Sequence, residues 1–388
     1  MYRKLEYQEV DAMEMIDVLR AAAKRQASDI HILVGRPPMI RTRGAIEPLP
    51  GFPEPTGEDT KRVIYSILYE DQIARFEEKL ELDSSYNIPG LSRFRVNVLL
   101  QKNGVEAVLR LIPSKVPTPK ELGLSEAMIG LTKLTRGLIL VTGPTGCGKS
   151  TTLACLIDII NQTRKEHILT VEDPIEFAHE MKNCIVRQRE VGSHTHSFLD
   201  ALKHALRQDP DVILVGEMRD LETISLAISA AETGHLVFGT LHTQDAPQTV
   251  DRMVDVFPPH QQQQIRVQVS TTLKAVICQQ LLPRAGGKGR VAAREVMIVT
   301  TAIANLIREG KTHQIYSAIE TGGKFGMCTI DASLAELVRL KAVSIEDALS
   351  KANNPQGLAA KLGIVGPAAS PTPPAQPGAP PGMGVRKV

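Results

Sequence analysis

Tryptophan is absent from the 388-residue chain, and the only other large rings are those of eight Phe and six Tyr. So few aromatics leave little material for the base-stacking platforms that single-strand nucleic-acid binders use. A dominant charge is lacking too. Forty-five Lys and Arg against 43 Asp and Glu give a net +2, so no global field draws the molecule onto nucleic acid or an acidic membrane surface. The five cysteines, at 147, 155, 184, 278 and 328, form no C-x-x-C pair and are odd in number, which argues against a disulfide framework and a tetracysteine zinc site. No apolar run approaches the ~18 residues of a membrane span, and the opening residues lack the apolar segment of a signal peptide. A reducing, cytoplasmic setting is the expectation.

What is present is ordinary globular material, 43% hydrophobic and 23% charged, enough for two or three units at roughly 150 residues each. From Val10 to about Ala27, Met13, Ile16, Leu19 and Ala23 recur at helical spacing. Residues 29–34 and 38–43 read as short strands about a Gly35-Arg-Pro turn, with a third near 45–49. Residues 61–80 return to helical periodicity, and 92–100 and 105–112 alternate as a hairpin about Lys102-Asn-Gly104. Pro113, Pro117 and Pro119 then punctuate a linker. The expected division is a small mixed α/β unit over 1–113, a linker over 114–122 and a larger unit over 123–365. In the larger unit Leu138–Thr142, His167–Val171, Val212–Val215 and Leu236–Leu241 alternate with helical segments, the pattern of a wound, mainly parallel sheet. Residues 366–388 hold seven of the 25 prolines and almost no large apolar side chains, so a disordered tail is expected there.

Gly143-Pro-Thr-Gly-Cys-Gly-Lys-Ser150 fits G-x-x-x-x-G-K-[ST] between a strand-like and a helix-like segment. Gly143, Gly146 and Gly148 let the backbone curl, so that successive N–H groups and the helix N-terminus face a phosphate, with Pro144, Thr145, Cys147 and Thr151 completing the nucleotide-binding loop. Lys149 reaches its β/γ oxygens and Ser150 holds Mg²⁺. Cys147 reads as a tolerated small residue whose oxidation could inhibit.

Hydrolysis needs further polar groups to orient water and neutralise charge. Two acidic clusters follow apolar strands, Leu169–Glu176 and Asp211–Asp220. Glu217, directly after Val212–Gly216, is the better candidate to contact Mg²⁺ or orient water. Glu172, Asp173 and Glu176 form the second candidate set, with helix capping or turn formation open for Asp173 before Pro174. Thr240 and His242 end the strand within Thr233–Thr243, where a polar group can sense a γ-phosphate, although a lone histidine is usually structural. His194 and His196 lack a convincing third metal ligand and read as loop polarity.

These residues together resemble the PilT retraction ATPases of bacterial type IV pili, within the secretion-ATPase superfamily, over roughly residues 10–360. The marks are Ala27–His31 with Pro37–Arg41, the phosphate loop, Val171–Glu176 as the Asp box, Gly216–Asp220 as the Walker B region, and Gly234–Thr243 as the His box. The resemblance implies a PAS-like N-terminal domain, a RecA-like ATPase domain and a ring of six subunits that hydrolyses ATP with Mg²⁺, shares that hydrolysis between chains and powers pilus retraction and twitching motility. It implies arginines of the N-terminal hairpin at the nucleotide, here Arg95 and Arg110, with Arg93 the lesser candidate. A surface salt bridge is the other reading of Arg110. His235 and His242 carry over as the two His-box histidines that couple nucleotide state to domain position. An inner-membrane pilus platform protein is the implied partner, with paralogous pilus ATPases also possible, no nucleic acid, and membrane contact only indirect, on the cytoplasmic face of the inner membrane. One departure stands out: the family's Ala-Ile-Arg-Asn-Leu-Ile-Arg-Glu motif reads Ala302-Ile-Ala-Asn-Leu-Ile-Arg-Glu309, with Ala304 in place of the first arginine.

Three rival functions remain. Pilus-extension and type II secretion ATPases usually carry a longer N-terminal region and a tetracysteine site, whereas this chain has a lone Cys278 in Ala275–Pro283. A nucleic-acid motor conflicts with the near-neutral charge and scarce rings. An accessory retraction paralogue with little turnover of its own conflicts with the presence of Lys149, Ser150, Glu217, Arg95 and Arg110 together.

Overall fold

The structure, a computed structural model, describes residues 13–42, 44–112, 115–287 and 289–364. The expected helix start at Val10, the end of the second expected strand at Arg43, the boundary at Pro113 and Ser114 where the linker is expected to begin, and the proline-rich tail lie outside the described residues.

Six strands make an antiparallel sheet: β1 (Asp29–Ile32), β2 (Met39–Thr42), β3 (Ala45–Pro48), β4 (Glu81–Ile88), β5 (Ser92–Gln101) and β6 (Gly104–Ile112), in the order β3-β2-β1-β6-β5-β4. Alternation decides its two faces. Phe94, Val96, Val98, Ala107 and Leu109 turn inward and are buried, in one core with Met15, Val18, Leu19 and Ala22 of the helix Met15–Lys24. The other face carries Arg93 and Arg95 of β5 and Arg110 of β6.

The expected single helical stretch over 61–80 is instead two helices, Gly57–Tyr65 and Glu70–Lys79. Local hydrogen bonds make the break. Thr56 and Asp59 form a capping box at the first start, and the Tyr69 backbone N–H donates to Gln72 Oε1 at 3.0 Å at the second. Strand β4, absent from the sequence reading, is a polar edge strand whose period-2 signal rests on Leu82 and Ser84.

The second sheet has seven strands: β7 (Gly137–Thr142), β8 (His167–Glu172), β9 (Ile185–Glu190), β10 (Val212–Val215), β11 (Leu236–Leu241), β12 (Leu273–Pro283) and β13 (Arg290–Ile298), in the order β13-β12-β7-β11-β10-β8-β9. All neighbours are parallel except β12 and β13. Strands β7 and β11 are buried at every residue, as a parallel sheet covered on both faces requires. One face packs Ile139, Val141 and Phe238 on Leu153, Leu156 and Ile160 of the helix Lys149–Thr163. The other packs Leu138, Leu140 and Val237 on the helices Leu221–Glu232, Ala246–Asp255 and Pro259–Thr272. The carboxyl ends of β7, β8, β10 and β11 therefore open on one crevice, where ligands of wound sheets bind.

Candidate functional site

The crevice is a cleft of about 560 Å³ lined from both sheets. The phosphate loop leaves β7 and enters the helix Lys149–Thr163 through Gly148, whose φ of +88° suits glycine. Gly143, at φ +136°, lies against β12 so closely that an added Cβ would stand 2.3 Å from the Gln279 carbonyl oxygen. Thr145, Gly146, Gly148, Lys149, Ser150 and Thr151 line the cleft. Lys149 Nζ donates to the Gly143 carbonyl at 2.9 Å and to the Pro144 carbonyl at 3.3 Å. Cys147 turns away from the cleft. It is 3% exposed, and burial pushes its thiol above the ordinary range, which makes it a poor nucleophile.

Glu217 stands opposite, one residue past Gly216 at the end of β10. Arg219 forks onto it, with Nη2 to Oε2 at 2.6 Å, and His242 Nε2 lies 2.9 Å from Oε1. Burial raises the carboxyl's affinity for a proton, but Arg219 and His242 outweigh it and hold Glu217 below the usual glutamate range. Glu217 thus stays an oxygen donor at neutral pH. Thr240 Oγ1 donates to the Gly216 carbonyl, tying the ends of β10 and β11.

The second acidic set lines the same cleft through Glu172, Asp173 and Glu176. The Glu172 carboxyl is pushed up to about 7 by burial, against hydrogen bonds from Thr170 Oγ1 at 2.7 Å and Gln188 Nε2 at 3.1 Å. Gln188 also donates to the Phe177 carbonyl at 2.8 Å and accepts from the His179 N–H at 2.8 Å, so one β9 side chain fixes both Glu172 and the 177–179 segment. Sequence reading passed over Gln188, because a Gln on a charged edge strand carries no motif.

The hairpin arginines separate. Arg95 lines the cleft of its own chain. Arg110, its direct cross-strand partner, is exposed and donates from Nε to Asp29 Oδ1 at 2.8 Å, outside the lining. Burial raises Asp29, yet Arg110, Ser28 and Arg41 together hold it below its ordinary value. Arg93 pairs with the buried Glu190 of β9 at 3.2 Å, and Glu190 also accepts from the Ile175 N–H at 3.0 Å. This pair joins the two sheets. The two His-box histidines also separate: His242 faces Glu217, but His235 precedes β11 at the sheet's other end, its Nδ1 2.9 Å from the Ala230 carbonyl at the close of the helix Leu221–Glu232. The structure does not bring His235 to the cleft. Asp220 caps that same helix, accepting from the Thr223 N–H at 2.8 Å. In the turn after β9, His194 Nδ1 accepts from the Glu190 N–H at 3.0 Å.

A second hollow of about 530 Å³ lies across the loop, sharing Gly148, Thr151, Leu281 and Arg290 with the cleft and lined further by Leu122, Val291, Leu337 and Leu340. Its floor holds Gln279 and Arg294, which the sequence reading did not single out.

Comparison with known proteins fits this arrangement. Residues 9–324 match the family described as Type II/IV secretion system protein. The type IV pilus retraction ATPase PilT of Pseudomonas aeruginosa is 53% identical over 344 residues, 89% of this chain and 99% of that one. The chain belongs to the PilT family. A twitching motility protein of Neisseria gonorrhoeae is 46% identical over 89% of this chain and 92% of its own length. A crystal structure of the pilus retraction motor PilT with bound ADP aligns at a TM-score of 0.83 and 48% identity, over 89% of this chain and 98% of that one. As a PilT-family member the chain is a P-loop ATPase that binds nucleotide, and its PAS-like sheet followed by a RecA-like sheet is the family's architecture.

Proposed function

We propose that this chain is the ATP-driven motor of type IV pilus retraction, working as a homohexamer on an inner-membrane pilus platform protein. The observation that carries the reading is the cleft itself: a phosphate loop, a His242-bound Glu217 and an arginine from the antiparallel sheet face one space in a chain 53% identical to a retraction ATPase.

The nucleotide is ATP in this reading, with its phosphates on the loop. Ser150 and Glu217 present hard oxygen donors at the cleft, a set that fits Mg²⁺. They would hold the ion, whose chemistry is to neutralise charge on the β- and γ-phosphates. Lys149 exchanges its carbonyl partners for phosphate oxygens. Glu217 orients the attacking water, and Glu172, Asp173 and Glu176 shape the polar wall beside it. Arg95 supplies a planar, permanently charged fork to the developing charge. Arg110 stands in register with Arg95 and takes part only if it leaves Asp29. His242 reports the state of Glu217 to β11, and His235 lies at that strand's far end.

The division at 1–113, 114–122 and 123–365, with a tail over 366–388, places a hinge between the arginines and the phosphate loop, so closure around nucleotide becomes relative motion of the two units. Paralogous pilus ATPases would share the platform. Among the described residues no helix is long and apolar enough to cross a membrane, so the proposed seat at the inner membrane's cytoplasmic face comes through the partner. Ala304, in the helix Thr301–Arg308, changes the contact that the family's first motif arginine would make, while Arg308 keeps its 3.0 Å hydrogen bond to Asn305.

Surface pili counted in a piliated host deleted for this chain test the reading. Excess pili with lost twitching support retraction. Loss of assembled pili would assign the chain to extension, and unchanged pili and motility would make it an accessory paralogue.

A further inference from the structure

Gln279 of β12 and Arg294 of β13 stand directly opposite on the antiparallel ladder, both buried. Gln279 uses both ends of its amide: Nε2 donates to the Cys147 carbonyl of the phosphate loop at 2.7 Å, and Oε1 accepts from Thr152 Oγ1 at 2.9 Å and from Arg294 Nε at 3.4 Å. The loop has no slack against β12, because Gly143 sits where no Cβ fits beside the Gln279 carbonyl.

Arg294 reaches the other way. Its Nη1 donates to the Leu122 carbonyl at 2.9 Å and the Gly123 carbonyl at 3.3 Å. These carbonyls close the short helix Pro119–Leu122, whose C-cap Gly123 is left-handed at φ +62°. A cation at the last carbonyls of a helix satisfies acceptors that the helix itself leaves open. Among the described residues no carboxylate pairs with Arg294, and burial draws its guanidinium down to about 10. A buried charge held only by carbonyl-type oxygens is sensitive to where those oxygens sit.

We propose that Gln279 and Arg294 form a buried strut that carries the state of the phosphate loop to the segment joining the two sheets. The strut rests on the reading of the loop as the nucleotide site. Nucleotide that draws the loop's N–H groups onto phosphate shifts the Cys147 carbonyl; Gln279 follows it, and Arg294 moves the Leu122 and Gly123 carbonyls with it. Both are positioning residues, and the geometry gives the motor a route from nucleotide to hinge inside one chain.

Hydrogen–deuterium exchange on the full chain, with and without saturating ADP, tests this at two peptides, the loop at 143–152 and the joining segment at 118–124. In the parent, ADP slows both. In Gln279→Met and Arg294→Lys, ADP still slows the loop peptide, but its effect on 118–124 is lost. Persistence of the 118–124 response in both variants would overturn the strut. So would a parent in which ADP slows 143–152 and leaves 118–124 unchanged, a result that needs no variant to fold. ADP that leaves the parent's loop peptide unchanged would overturn the nucleotide reading and the strut with it.

Discussion

His242 Nε2 and Glu217 Oε1 stand 2.9 Å apart, joining the residues that follow adjacent parallel strands β11 and β10. The contact sets the direction of the Glu217 carboxylate, because the two strand ends are already tied through Thr240 and Gly216. A hydrogen bond to a charged group contributes about 1.5–3 kcal/mol. His242→Ala should therefore lower kcat for ATP about 10- to 100-fold, with KM little changed. Steady-state kinetics on the purified chain check this, and an unchanged kcat would remove His242 from the site.

Arg95 and Arg110 face each other across β5 and β6, yet only Arg95 lines the cleft. An arginine that meets developing charge in phosphoryl transfer is worth about 10³-fold or more in turnover. Arg95→Ala should lose activity on that scale. Arg110→Ala should lose far less and release Asp29, whose carboxyl then moves back toward its ordinary range. Equal losses in the two variants would mean that Arg110 leaves Asp29 to act with Arg95.

Glu295, buried on β13, accepts from the Ala246 N–H at 2.9 Å and is pushed up to about 7 by burial. The sign follows from that upward shift. The stability contributed by the neutral form is fully present below the unfolded value and is lost as pH rises through the folded one, here between about 4.5 and 7. Glu295→Gln keeps an oxygen for Ala246 and removes the titration. Its advantage in melting temperature over the parent should widen from pH 5 to pH 8, by up to about 3 kcal/mol in stability. Parallel melting curves across that range would contradict the assignment.

The parallel core was legible because β7, β8, β10 and β11 are apolar runs, and the phosphate loop because eight residues fix one backbone shape. The polar edges were not. Strand β4 and the charged β9 bury few apolar side chains, so periodicity gives little signal, and the break between Tyr65 and Glu70 depends on local bonds that pattern cannot rank. Within the site, Glu217, His242 and Arg95 follow strand ends or motif positions. Gln188, Gln279 and Arg294 act through contacts with residues far apart in the chain, which only the folded sheet brings together.

In the proposed motor, nucleotide held at Lys149 drives retraction. Fluorescently labelled pili should be followed in a piliated host deleted for this chain and complemented with the parent or with Lys149→Ala. Pili should extend in both strains but shorten only with the parent. Shortening at the parental rate with Lys149→Ala, or with no copy of the chain at all, would contradict this.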